Sequence, residues 1–177
     1  MLQLLAANTK NILYLAVFTA LGLFLTYISG LFQLESRLLT MQIPVLLAGF
    51  TLSMNWAVAC GMLIPVLGCV FLGTPELLPA LPIIICEMVA YAASANMFYN
   101  IIGWKIIPSL LITMLIGRVV MFCAASILSQ VMDSFNAFSY ASEVITNGWP
   151  GLILQVIIIA VYQKIGPKPK KTNYYAR

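Results

Sequence analysis

Apolar runs long enough to cross a bilayer follow one another almost without interruption along this chain, and two charges lie inside them, Glu87 and Arg118. A membrane helix needs roughly 20 apolar residues, so 177 residues hold about six or seven spans and no soluble catalytic domain. With 62% hydrophobic and 8% charged residues and a mean hydropathy of +1.01, the chain reads as an all-α integral membrane protein. An ionisable side chain at bilayer depth costs on the order of 3 kcal/mol. Glu87 and Arg118 are therefore the first candidates for a functional site.

Several chemistries are disfavoured at once. The chain has no histidine, which removes the commonest metal ligand and the commonest proton shuttle at neutral pH. Cys60, Cys69, Cys86 and Cys123 all fall in apolar runs, form no CxxC pair and read as buried thiols acting as small hydrophobes. There is no GxxxxGK[ST] phosphate loop. With one membrane carboxylate and no nucleophile–base pair, the expectation is a protein that is not an enzyme. The first apolar segment follows Lys10, exceeds a signal h-region in length and lacks a clean cleavage site, so it reads as a retained helix.

Six transmembrane helices are expected, over residues 11–28, 43–52, 56–72, 80–99, 106–132 and 149–165, followed by a basic tail over 166–177. The second and third come from one stretch, 41–73, which as a single helix measures about 50 Å against a hydrocarbon core of roughly 30 Å. The polar triplet Ser53-Met54-Asn55 divides it. Loops are expected over 31–40, over 74–82 with Pro75, Pro79 and Pro82, and over 133–147. Charge supports the even count. With both termini cytoplasmic, Lys10, Lys105, Lys164, Lys168, Lys170, Lys171 and Arg177 fall inside. The outer loops then hold Arg37 as their only base, with Glu35, Glu76, Asp133 and Glu143 as their acids. That is the positive-inside pattern, and the tail reads as an anchor on anionic headgroups.

The polar residues inside the spans share a depth. Glu87 lies about seven residues below Ala80, roughly 10 Å down a helix. Gln155 is at a similar depth below Trp149, Gln42 is at the mouth of the second segment, and Arg118 reaches toward that level with its long side chain. Asn96, Asn100 and Lys105 lie toward the inner end. Two readings stand side by side. Glu87 and Arg118 form a buried ion pair that joins two helices, or they line a ligand cavity in the outer half of the membrane. Trp149, Tyr140, Phe135 and Phe138 crowd the outer end, either as an interfacial belt or as groups that close over a flat ring. Ala16 and Ala20 share a face of the first helix, where small residues let another helix approach.

Taken together these pieces resemble the substrate-binding S components of energy-coupling factor (ECF) transporters, over nearly the whole chain. The strongest stretch is Met41-Gln42-Ile43-Pro44-Val45-Leu46-Leu47-Ala48-Gly49-Phe50. Pro75 with Pro79, Glu87 with Ala90-Tyr91, Gly117-Arg118 and Pro150-Gly151-Leu152-Ile153-Leu154-Gln155 add to it, and Ala16 with Ala20 match the AxxxA docking motif of that family. The likeness is greatest to the pantothenate- and pyridoxine-type branch, although Gln42 stands where that branch often carries histidine.

The resemblance implies a multi-pass protein of a bacterial cell membrane that captures a small water-soluble vitamin from outside. It implies assembly with an ECF T component and two ABC ATPases, which bind the ATP, so this chain needs no cofactor of its own and touches no nucleic acid. Substrate-binding residues are then Glu87, Arg118, Gln155, Gln42, Tyr91 and Trp149. Arg118 pairs with a ligand carboxylate through its planar fork, and the loops 74–82 and 133–147 act as lids. The alternative is a membrane assembly subunit without transport, in which Glu87 and Arg118 form a structural pair.

Overall fold

A computed structural model of the chain describes residues 2–32, 40–132 and 135–165. Glu35 and Arg37, Asp133, and the 166–177 tail with Lys168, Lys170, Lys171 and Arg177 lie outside the described residues. Among those described, all regular structure is helical: α1 Leu2–Leu31, α2 Gln42–Thr51, α3 Met54–Leu72, α4 Ala80–Asn96, α5 Ile106–Ser129 and α6 Ala137–Ile165. A π-helical turn, Met97–Ile101, extends α4. Five of the helices are long and apolar enough to cross a membrane; α2 is the short one. The protein is an all-α membrane protein with several spans.

The outer faces suit lipid. On α5, Leu111, Leu115, Val119 and Phe122 are exposed, and on α6 Trp149, Ile153, Ile157 and Val161 form a stripe at four-residue spacing. Contiguous apolar surface on this scale belongs against a membrane, not water.

The short helix α2 occupies the centre. Its ten residues measure about 15 Å, half of a hydrocarbon core. Every residue from Gln42 to Phe50 is buried, as expected of a helix apolar all round. Its neighbour α4 runs in the same direction: Gln42 meets Glu87 at one end and Leu52 meets Asn96 at the other. Between them the backbones nearly touch. A Cβ on Gly49 would fall 2.8 Å from the Ala95 Cβ and 3.0 Å from the Ala92 carbonyl oxygen, so glycine is what admits this packing.

The break foreseen at Ser53 is present. Leu52 and Ser53 are extended (ψ 165° and 156°), and α3 turns back from Met54. A helix end in an apolar interior leaves carbonyls without partners, at a cost of several kcal/mol each. Two amides from α4 and its π-turn meet that need. Asn96 Nδ2 donates to the carbonyls of Leu52 (2.6 Å) and Gly49 (3.1 Å), and Asn100 Nδ2 to that of Gly49 (3.2 Å).

The last helix departs from expectation. It begins at Ala137, not at 149, so residues 137–147 of the expected lid loop are three turns of helix. Their polarity, and a proline at position 150 that suits a first helical turn, argued for a loop. Asn136 explains the outcome: its Oδ1 accepts from the backbone N–H of Phe138 (2.9 Å) and Ser139 (3.2 Å), which is an N-cap. The hydroxyls of Ser142 and Thr146 are turned back onto the carbonyls of Ser139 and Ser142, within the helix. Pro150 is carried inside α6, as helices in membranes tolerate.

Candidate binding site

Four helices bring five polar side chains toward the level of the α2 N-terminus, two of them from α4. Glu87 and Tyr91 lie one turn apart on α4, so both face α2 and α5. Gln42 is the first residue of α2, Arg118 lies midway along α5, and Gln155 lies on the buried face of α6. Their contacts form one chain. Gln155 Nε2 donates to Gln42 Oε1 (2.6 Å), and Gln42 Nε2 donates to Glu87 Oε1 (3.2 Å). The same carboxylate oxygen accepts from the Tyr91 hydroxyl (3.0 Å) and from Arg118 Nη1 (2.9 Å).

Three donors thus converge on Oε1, while among the described residues Oε2 takes no hydrogen bond and is not sealed inside protein. Arg118 Nη2 and Gln155 Oε1, in contrast, are buried without a partner among the described residues. The ion pair of Glu87 and Arg118 is therefore single-pronged. Its stabilisation rests on the accompanying hydrogen bonds, because desolvation of two charges offsets most of their attraction.

Beside this network is a cavity of about 260 Å³. Its floor is Gln42, Glu87 and Met88. One wall is Thr26 and Ser29 at the end of α1, with Thr40 and Met41 ahead of α2. Thr74 and Pro75 of the loop after α3 form a second, and Tyr140, Glu143 and Val144 of α6 a third. The last three share a helical face by their three- and four-residue spacing. The cavity opens at the end of the bundle where α1 and α3 finish and α4 and α6 begin.

The expected site residues divide accordingly. Glu87, Arg118, Gln155, Gln42 and Tyr91 form one connected network, but only Glu87 and Gln42 border the cavity. Tyr91 and Gln155 are fully buried behind them. Arg118 has one prong of its fork on the Glu87 carboxylate and is not among the residues that border the cavity. Trp149 is separate: it is 60% exposed on the outer face of α6. C-terminal to Tyr140 and its companions on the same helix, it belongs to the lipid-facing stripe with Ile153, Ile157 and Val161. Ala16 and Ala20 lie on an exposed face of α1.

Of the expected lids, Thr74 and Pro75 of the first do border the cavity, and the second contributes through helix. Tyr140, packed against Phe135 with ring centroids 5.5 Å apart, is the lining aromatic. Thr26, Ser29, Thr40 and Glu143 were not singled out as site residues from sequence. The signal for the first two was a pair of hydroxyls three residues apart in an apolar helix. A scan against protein-family models and searches of curated proteins and solved structures return no match for this chain.

Proposed function

We propose that this chain is a membrane-embedded capture subunit for a small polar solute, of the S-component type, working with an ECF T component and two ABC ATPases in a bacterial cell membrane. The observation that carries the reading is a cavity bordered by a buried carboxylate, Glu87, one of whose oxygens takes no hydrogen bond among the described residues. Concave sites with a few convergent polar groups are where small ligands bind, and a membrane carboxylate facing a cavity marks a substrate path more often than a packing device. The proposed orientation, with both termini cytoplasmic, turns the cavity mouth to the outside, as capture requires. The solute is of the vitamin or vitamin-precursor class, the chain performs no chemistry on it, and ATP acts only through the partner ATPases. Ala16 and Ala20, exposed on α1, suit close approach of a partner helix.

The test has two arms. The purified chain is assayed for retained small molecules by mass spectrometry after release from detergent, and Ala16→Trp is assayed for co-purification with the T component. A retained solute and loss of co-purification with solute binding intact are expected. An empty protein that also assembles normally as Ala16→Trp would defeat the reading.

A second reading has one observation in its favour. Glu87 and Arg118 do touch, at 2.9 Å, as a structural clamp in an assembly subunit requires. Such a subunit has no use for an open carboxylate oxygen, so failure of every solute to bind favours it.

A further inference from the structure

We infer that the solute held in this cavity carries a positive charge with hydrogen-bond donors, an ammonium or protonated heteroaromatic nitrogen, and is not an anion. The inference rests on the capture function proposed above and sharpens it. Its starting point is a count of what the lining offers. Among the described residues two carboxylates border the cavity, Glu87 and Glu143, and no lysine or arginine does. Arg118 is charged and close, yet it does not border the cavity and is engaged with Oε1. The α2 N-terminus also lies here, and its dipole favours negative charge; Glu87, held by the side-chain amide of Gln42, already brings a carboxylate to that end. Glu143 has no basic partner among the described residues. The site therefore has a surplus of negative charge.

The hydroxyls point the same way. Thr26 Oγ1 gives its proton to the Gly22 carbonyl (2.8 Å), and Ser29 Oγ gives its proton to the Thr26 carbonyl (2.9 Å). With Ser29 already a donor, the 3.0 Å contact between Ser29 and Thr40 makes Thr40 the donor there. A hydroxyl has one proton, so Thr26 and Thr40 face the cavity as acceptors. Glu87 Oε2 and the Glu143 carboxylate are acceptors too. The lining is rich in acceptors and its free donors are neutral groups, so the complementary solute donates. A cation that donates to Glu87 Oε2 forms a charge-assisted bond and can rest against the ring of Tyr140. A bare metal ion is a poorer fit. Two carboxylates do not make a six-to-eight-oxygen shell, and among the described residues no three potential metal ligands gather.

The experiment uses the full chain in detergent and four probes: pyridoxamine, pyridoxine and 4-pyridoxate, which share a ring and differ by an ammonium, a hydroxyl or a carboxylate, and pantothenate as an aliphatic anion. Binding is read by calorimetry. Pyridoxamine is expected to bind at least about tenfold more tightly than 4-pyridoxate, since like charges brought together cost several kcal/mol. Glu143→Gln, a change at an exposed position, is expected to lower pyridoxamine affinity more than pyridoxine affinity and to flatten the salt dependence of pyridoxamine binding. Glu87→Gln is expected to remove most of the preference for the cation, with folding checked by thermal unfolding. If 4-pyridoxate or pantothenate binds as tightly as pyridoxamine, the charge inference is overturned and the capture function survives. If none of the four binds, the charge inference is overturned, and the capture function is decided by the retained-solute and co-purification assays above.

Discussion

The ring of Tyr91 fills the space that any side chain at Gly117 would need: a Cβ on that glycine falls 2.3 Å from Cε1 and 2.6 Å from Cζ of the ring. Because Tyr91 is fully buried and its hydroxyl donates to Glu87, the glycine on α5 sets the position of a donor to the central carboxylate. Gly117→Ala is expected to push the ring away, cost about 2 kcal/mol through overpacking and lower the unfolding temperature by roughly 4–8 °C. Tyr91→Leu combined with Gly117→Ala should cost less than the two single changes added together. Strict additivity in thermal unfolding of the four proteins counts against the contact.

The neighbouring residue makes a different prediction. Among the described residues Arg118 is the one ion-pair partner of Glu87. Removing it leaves a carboxylate that is 3% exposed without its countercharge. Arg118→Ala is expected to destabilise by about 3–5 kcal/mol, the usual penalty for orphaning a buried charge. Arg118→Met with Glu87→Gln should recover most of that loss, because a neutral amide no longer needs the cation. Chemical unfolding of the double variant close to that of Arg118→Ala alone would count against this account. The sequence expectation that Arg118 grips the solute directly leads elsewhere, to lost binding at unchanged stability.

That contrast shows which parts of the site were legible beforehand. Depth along the apolar segments was enough to put Glu87, Gln42, Gln155 and Arg118 together, because a polar group in a membrane has few places to go. The Ser53-Met54-Asn55 triplet marked the end of α2 for the same reason. Depth says nothing about which side of a carboxylate a guanidinium occupies, so Arg118 was assigned to the solute when it pairs with Glu87 and does not border the cavity. Thr26 and Ser29 were missed because a hydroxyl in a membrane helix usually bonds to its own backbone. These two do so and line the cavity as well. The first three turns of α6 were missed because their polar composition matches a loop, while the helix start is set by a single side chain, the Asn136 cap.

The inner end of α2 depends on two borrowed donors. Asn96→Leu removes the bonds to Leu52 and Gly49 and leaves buried carbonyls unpaired, at about 1–3 kcal/mol. Asn100 still reaches Gly49, so the effect should concentrate on Leu52 and the extended residues after it. Hydrogen exchange followed by mass spectrometry is expected to show faster exchange in the peptide over 42–57, with α5 unchanged. Equal acceleration across the whole protein would mean a global loss of stability in place of a frayed α2.

Two of the aromatic residues of α6, Tyr140 and Trp149, have different surroundings. Tyr140 borders the cavity and Trp149 is turned outward, although both were candidates for closing over a ring. Tyr140→Ala removes a wall and any stacking surface, worth about 0.5–2 kcal/mol against a cation, so solute affinity is expected to fall roughly two- to thirtyfold. Trp149→Ala should leave affinity within experimental error and act only on the seating of α6 at the lipid interface. Calorimetry with whichever solute the purified chain retains tests both at once. A large loss from Trp149→Ala would mean that the outer end of α6 rotates when the site is filled. The cavity described here would then be an open form of the site.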